Sequence, residues 1–266
     1  MDIITEFKKI TALGYSKGWH ELNGGNLSYR LTEQEVKDLK HLFNDNQEFI
    51  QMDITAKNLA GEYFIVTGSG KFLKNIQDNF EKNSGIIVLD ETGSKYKVVY
   101  GLEDAKPTSE LPSHLLNHSV KYDKTNGQHR TIYHAHTTNT LALTFVLPLE
   151  DKAFSKALWQ MATEDAVVFP EGVGVVEWMV PGGKEIANAT SKLMETYNVA
   201  IWAHHGCFVS GASLDQAFGL METVEKAASV YVKVASMGGS KQTITDEMLQ
   251  QLQAPFNIKL NEKFID

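Results

Sequence analysis

Residues 130–136, Arg-Thr-Ile-Tyr-His-Ala-His, read as a β-strand that closes on two histidines. Successive strand side chains point to opposite faces, so His134 and His136 share one face and Ala135 points to the other. Two imidazoles on one face can grip a single ion, but a pair alone is equally an ordinary polar strand face. A second stretch, Val199–His205, also reads as a strand and ends in His204-His205 before Gly206, where the backbone can turn sharply. Adjacent strand residues face opposite ways, so one of these two histidines could complete a trio, and spacing leaves open which. Three protein ligands with an open position is the arrangement of catalytic zinc, although imidazoles also suit cobalt, nickel or iron. The other histidines (His20, His41, His114, His118 and His129) form no partner pattern and read as ordinary.

Around these two strands the chain alternates irregularly between patterns. Ile3–Gly18 places Ile3, Ile4, Phe7, Ile10 and Leu13 at helical spacing. Leu27–Arg30, Phe64–Thr67, Gly85–Asp90, Tyr96–Tyr100, Ala166–Pro170 and Val173–Val176 read as strands. Ser109 is placed to cap a helix running through His118, with Pro112 tolerated in its first turn. Asn139–Leu147, Lys184–Tyr197, the stretch opened by Ser213 and Gln216, and Thr245–Leu252 read as further helices. Thr32–Gly61 is polar and poorly periodic, and reads as a surface excursion. The mixture predicts an α/β protein, a sheet flanked by helices rather than a strict βαβ winding. No repeat and no Ser/Gly/Pro-rich linker divides the 266 residues, so one domain spanning 1–266 is expected.

Composition narrows the function. The formal net charge is -8, with 25 Lys and Arg against 33 Asp and Glu. That balance argues against nucleic-acid binding, which needs clustered cations, and an anionic substrate would have to be held by a local site. The single cysteine, Cys207, excludes an intrachain disulfide and suits a reducing compartment. No run approaches the roughly 20 apolar residues of a membrane span, and the N-terminal stretch lacks a signal-peptide core. A soluble, cytoplasmic protein with no membrane partner is expected.

Three short turns could meet an anion. Pro107-Thr108-Ser109-Glu110 sets two hydroxyls and a carboxylate where a helix begins, and free helix N–H groups attract anions there. Asn23-Gly24-Gly25-Asn26 combines amide donors with glycines that permit close backbone approach. Thr67-Gly68-Ser69-Gly70-Lys71 follows a strand but lacks the spacing of a Walker loop. Taken singly, the first is an ordinary N-cap string and the others plain turns. Taken with a metal pair, they fit a small phosphorylated substrate chelated to a cation. Lys71 is the one lysine among the motifs, so a Schiff-base mechanism is disfavoured.

These strings resemble the class II aldolase/adducin family, in order: NGGNLSYR at 23–30, TGSGK at 67–71, PTSELP at 107–112, His134–His136, and His205-Gly206. Similar stretches include VFPEGVG at 168–174, WMVPG at 178–182, 218–226 and VKVASMGGSKQ at 232–242, so the likeness covers nearly the whole chain. The resemblance implies a three-layer α/β/α fold around a central, largely antiparallel sheet, usually in a fourfold-symmetric homotetramer. It implies reversible retro-aldol cleavage of L-rhamnulose 1-phosphate to dihydroxyacetone phosphate and L-lactaldehyde, with one Zn²⁺ per subunit stabilising an enediolate. His134, His136 and His205 match the zinc ligands, which selects His205 over His204. Glu110 matches the catalytic carboxylate. Asn23, Asn26, Ser69, Gly70, Thr108 and Ser109 match substrate- and phosphate-binding positions, and Glu164 a second carboxylate arriving from a neighbouring subunit. Two features depart from the pattern: His204 beside the ligand, and the unmatched 32–61 segment. The rivals are an aldolase for another ketose 1-phosphate (fuculose type), a sugar-phosphate epimerase, and a non-catalytic adducin-like module, which would not need three metal ligands and Glu110 together.

Overall fold

A computed structural model describes residues 2–44 and 46–265. Among the described residues nine strands form one sheet: β1 (Asn26–Arg30), β2 (Ile50–Gln51), β3 (Tyr63–Thr67), β4 (Ser84–Leu89), β5 (Lys95–Gly101), β6 (Thr131–Ala135), β7 (Gly174–Val176), β8 (Val199–Trp202) and β9 (Gly206–Gly211). Their order is β2-β5-β4-β3-β1-β6-β9-β8-β7. Neighbours run antiparallel except β7 beside β8. The helices that follow are α1 (Ile3–Ser16), α2 (Glu33–Leu39), α3 (Phe80–Asn83), α4 (Leu111–Lys124), α5 (Thr138–Leu143), α6 (Asp151–Trp159), α7 (Thr163–Val168), α8 (Lys184–Met194) and α9 (Leu214–Ser236).

Strand alternation sorts the core into two layers. On one face Leu27, Ile65, Tyr133, Ala135, Cys207 and Val209 pack with Phe7 and Ile10 of α1 and Phe218 and Met221 of α9. On the other, Phe64, Val66 and Ile87 meet Leu111 and Leu115 of α4, while Ile132, Trp202 and Phe208 meet Ile186 and Met194 of α8. Each fully buried Leu, Ile or Phe contributes about 1.5–3 kcal/mol relative to exposure. These layers therefore hold the sheet, and with it the register Asn26↔His134 and Ala135↔Cys207. That register brings the start of β1, the ends of β3 and β6 and the β8–β9 turn to one end of the sheet.

Four local expectations are corrected. Ala166–Pro170 is no strand: residues 163–168 form α7, with Glu164 and Asp165 in its first turn and Ala166 buried in the first core layer. Acidic residues at a helix start and tertiary burial outweigh the β-propensity of its valines. Val199–His205 is not one strand either. β8 stops at Trp202, Ala203-His204-His205 turn with His205 N–H donating to the Trp202 carbonyl at 3.1 Å, and β9 begins at Gly206. The 32–61 segment is more than an excursion. Thr32 and Glu35 make a reciprocal capping box for α2, β2 pairs with β5 at the sheet edge, and Ile54, Ala56 and Leu59 are buried beneath it. Lastly, Ser109 does not cap α4. The helix begins one residue later with Glu110 at the N-cap position, and the Glu110 side chain makes no capping hydrogen bond.

Candidate metal centre and active site

His134, His136 and His205 converge at the shared end of the sheet, and one ring nitrogen from each lies within 4.8 Å of the others. Local backbone geometry brings them there. His134 is on β6, buried, with its ring stacked on Phe208 at 4.2 Å. His136 lies just past the strand, held by its own N–H donating to the Trp19 carbonyl at 3.1 Å. His205 arrives by the β8–β9 turn, where His204 takes the left-handed conformation (φ 60°), uncommon for a residue with a Cβ. The turn sends His204 away: its N–H donates to Thr144 Oγ1 at 3.1 Å and its ring sits 4.3 Å from Phe145. Gly206 is required at this turn because a Cβ there would meet the Ala135 carbonyl oxygen at 2.5 Å and His134 Cε1 at 3.0 Å.

Hydrogen bonds select the tautomers. His134 Nδ1–H donates to the Cys207 carbonyl at 3.1 Å, and His136 Nδ1–H donates to Glu21 Oε1 at 2.5 Å. Each ring therefore turns a bare Nε2 inward. Among the described residues, the buried Nε2 atoms of His134 and His136 have no hydrogen-bond partner. An unmet buried acceptor costs about 1–3 kcal/mol, and a cation seated between the rings would remove that cost. Burial, then the neighbouring His136 and His205, holds the His134 imidazole well below its usual pKa. Burial and His136 lower His205 to about 4. Unprotonated imidazoles are the form that ligates. The donor set therefore fits a divalent cation.

Glu21 carried no signal in the sequence, being one exposed acidic residue in a loop. Burial pushes its carboxyl up, but the hydrogen bond from His136, its own backbone N–H and the nearby His136 and His20 together outweigh this and leave it below the usual range. A carboxylate behind a ligating histidine fixes ring orientation and raises basicity, so Glu21→Ala is expected to weaken cation affinity about 10–100-fold. Competition with a chromogenic chelator measures this, and an unchanged affinity would remove Glu21 from the centre.

Glu110 faces the trio, with Oε2 3.6 Å from His134 Nε2 and Oε1 3.9 Å from His205 Nε2. Burial raises its pKa, opposed by the hydrogen bond that Asn26 Nδ2 donates to Oε2 at 2.7 Å and by His136. The carboxylate at the N-cap position of α4 is thus aimed at the imidazoles instead of at the helix N–H groups.

A cleft of about 200 Å³ opens over the trio. Asn23, Asn26, Ser69, Gly70, Thr108, Ser109, Glu110, His136 and His205 all line it, and His134 lies buried under it. The three turns interlock: Thr108 N–H donates to the Thr67 carbonyl at 2.9 Å and Ser69 N–H to the Lys106 carbonyl at 2.8 Å. The Asn23–Asn26 loop is pinned by His20, which accepts from the Tyr133 hydroxyl (2.6 Å) and donates to the Gly24 carbonyl (3.0 Å). Gly24 must lack a side chain, since a Cβ would stand 2.8 Å from His136 Nδ1. Asn26 faces the cleft's wall with its amide already committed to Glu110. Glu164 does not join this cleft within the chain; it is exposed at the start of α7, lining a separate cavity with Trp19 and Lys226.

The buried histidines near the site set a pH limit. Burial lowers His20 to about 4, His114 to about 3, and His118 well below its usual value. Each has a folded pKa below its unfolded value near 6.5, so the unfolded chain binds more protons once pH drops below about 6.5. Stability is then full above that pH and falls by up to about 1.4 kcal/mol per pH unit for each such histidine. Urea midpoints measured from pH 7 to pH 5 should decline steeply, and a flat profile would contradict the burial of neutral imidazoles.

This sequence and this sheet layered between helices have counterparts among known proteins. Residues 6–232 match the family described as class II aldolase and adducin N-terminal domain, and the chain belongs to that family. It is 45% identical over 259 residues to the rhamnulose-1-phosphate aldolase of Klebsiella pneumoniae, covering 97% of this chain and 94% of the relative. It is 44% identical over 267 residues to the rhamnulose-1-phosphate aldolase of Listeria monocytogenes, covering 99% and 96%. The crystal structure of a sugar-phosphate aldolase from Thermotoga maritima superposes with a TM-score of 0.71 at 26% identity, covering 89% of this chain and 96% of that one. Among the described residues no helix is long and apolar enough to cross a membrane.

Proposed function

We propose that this chain, acting as a single domain over residues 1–266, reversibly cleaves L-rhamnulose 1-phosphate to dihydroxyacetone phosphate and L-lactaldehyde. The observation that carries the proposal is the Glu110 carboxylate 3.6 and 3.9 Å from two imidazoles of a three-histidine cluster, under a cleft walled by small, polar turns. The names and extent of the relatives above support the choice of substrate. His134, His136 and His205 would hold one Zn²⁺ per subunit, and the cation supplies Lewis acidity that lowers the energy of negative charge developing on substrate oxygens.

The protein's own groups do the rest. Asn23, Ser69, Gly70, Thr108 and Ser109 bind the phosphate end, which fixes the ketose relative to Glu110. Glu110 takes the proton from the hydroxyl on the carbon beyond the scissile bond. The freed O–H electrons form the aldehyde carbonyl, and the electrons of the broken carbon–carbon bond pass to the ketose half as an enediolate. Glu110 then returns its proton to carbon, giving dihydroxyacetone phosphate. Asn26 steadies the carboxylate through these steps. We place the enzyme in the cytoplasm as a homotetramer in which Glu164 meets a neighbouring subunit's cleft. Its exposure away from the trio of its own chain supports that arrangement.

Chromatography of products from purified enzyme tests the reading. L-Rhamnulose 1-phosphate should give the two triose fragments, with kcat/KM at least about tenfold above that for L-fuculose 1-phosphate. Recovery of an epimerised ketose phosphate in place of fragments, or the reverse substrate preference, would overturn it.

A further inference from the structure

We propose that His114 is a positioning residue for Glu110, acting through the amide of Asn26, with Ser28 and His118 behind it selecting its tautomer. The inference rests on the role given above to Glu110. None of Ser28, His114 and His118 lines the cleft, and all three are buried.

The arrangement comes from two periodicities meeting. Glu110, His114 and His118 stand four residues apart along α4 and its N-cap, which sets them on one helix face. Asn26 and Ser28 alternate along β1, which sets them on one strand face. Where α4 lies on the sheet the two rows mesh. Ser28 Oγ is 2.6 Å from His114 Nδ1 and 2.8 Å from His118 Nε2. His114 Nε2 makes a short hydrogen bond to Asn26 Oδ1, and Asn26 Nδ2 donates to Glu110 Oε2 at 2.7 Å.

Chemistry gives this chain of contacts a direction. An ionised carboxylate only accepts, so Asn26 must turn its NH₂ toward Glu110 and its oxygen toward His114. His114 Nε2 must then carry the ring proton. In so buried a place the ring is neutral, which leaves Nδ1 bare to accept from the Ser28 hydroxyl. Ser28 Oγ has a lone pair left, and it accepts from His118 Nε2–H. Every donor in the series points toward Glu110. With the opposite tautomer, His114 would present a lone pair to Asn26 Oδ1. The amide would flip, and its oxygen would face the carboxylate. A buried histidine kept only for packing would need no such order.

Replacement of His114 by the two carboxamides separates the roles, because an Asn amide reproduces a histidine's Nδ1 and a Gln amide its Nε2. His114→Asn keeps a partner for Ser28 and loses the donor to Asn26. It is expected to lower kcat about 10–100-fold while KM changes by less than about threefold. His114→Gln restores the donor and should recover most of that loss. In the Glu110→Gln background, His114→Asn should cost almost nothing further, whereas a merely structural defect would add its full cost there. Metal content is expected to be the same in all these proteins. If the wild type cleaves the ketose phosphate but His114→Asn and His114→Gln turn over equally, or the His114→Asn cost persists in full without Glu110, the proposal is wrong. If the wild type cleaves nothing, the reading of the site has failed instead. Should His114→Asn not fold, Ser28→Ala carries the test by deleting only the hydroxyl that selects the tautomer. Its kcat should fall about three- to tenfold with KM held, and an unaltered kcat overturns the proposal.

Discussion

His134→Ala is expected to purify without its cation and to lose aldol cleavage by at least about 10³-fold, the scale of removing a principal source of charge stabilisation from a closed site. His134 is the most enclosed of the three imidazoles. Its ring stacks on Phe208 at 4.2 Å and lies tilted 5.4 Å from Trp202, and its Nδ1 is tied to the Cys207 carbonyl. That leaves Nε2 a single direction, toward His136 and His205. Removing the ring takes away one of three ligands at the deepest point, and Glu110, 3.6 Å from His134 Nε2, would be drawn from its own task if it took that place. The truncation also opens a cavity, so the measurement needs a folded sample, verified by circular dichroism, followed by elemental analysis. A folded His134→Ala protein that keeps a full complement of cation would show that the histidine cluster is not where the cation binds.

The second large effect is Glu110→Gln, which should retain the cation yet lose turnover by about 10²–10⁴-fold, the usual contribution of a positioned general base. Glutamine has the shape of glutamate, and its amide oxygen can still accept from Asn26. The change therefore removes a charge and a proton acceptor while leaving the geometry in place. Burial raises the pKa of Glu110, which brings its basicity closer to the working pH. Elemental analysis and steady-state kinetics on the same preparation separate this outcome from loss of the centre. Near-normal turnover would remove Glu110 from the proton transfer.

The sequence carried the pieces of this site better than it carried their arrangement. Alternation along 130–136 is enough to put His134 and His136 on one side with Ala135 in the opposite core layer. Turn chemistry is enough to mark 23–26, 67–71 and 107–110 as possible anion contacts. What spacing could not choose was His205 over His204. The turn that separates them is built by His204 at a positive φ, with Thr144 and Phe145, just past the end of α5, receiving it. Without a Gly or Pro before that turn, the strand reading runs on from β8 through His205 to Gly206. α7 was hidden for the opposite reason: its valines favour a strand, and only packing against the core makes 163–168 helical. Glu21 is invisible because a lone exposed glutamate has no pattern, and its partner is 115 residues away. The His114 and His118 relay lies between these cases. Spacing alone leaves His114 and His118 as ordinary histidines: they stand at four-residue intervals from Glu110, but which helix covers which strand is decided by the two-layered core.

The most direct measurement is cleavage of L-rhamnulose 1-phosphate by the wild-type enzyme as its divalent cation is stripped by a chelator and then replaced with Zn²⁺. The account predicts that fragment release falls in proportion to cation lost, ceases when His134, His136 and His205 are empty, and returns on replacement. Undiminished release from protein that elemental analysis finds free of cation would contradict it.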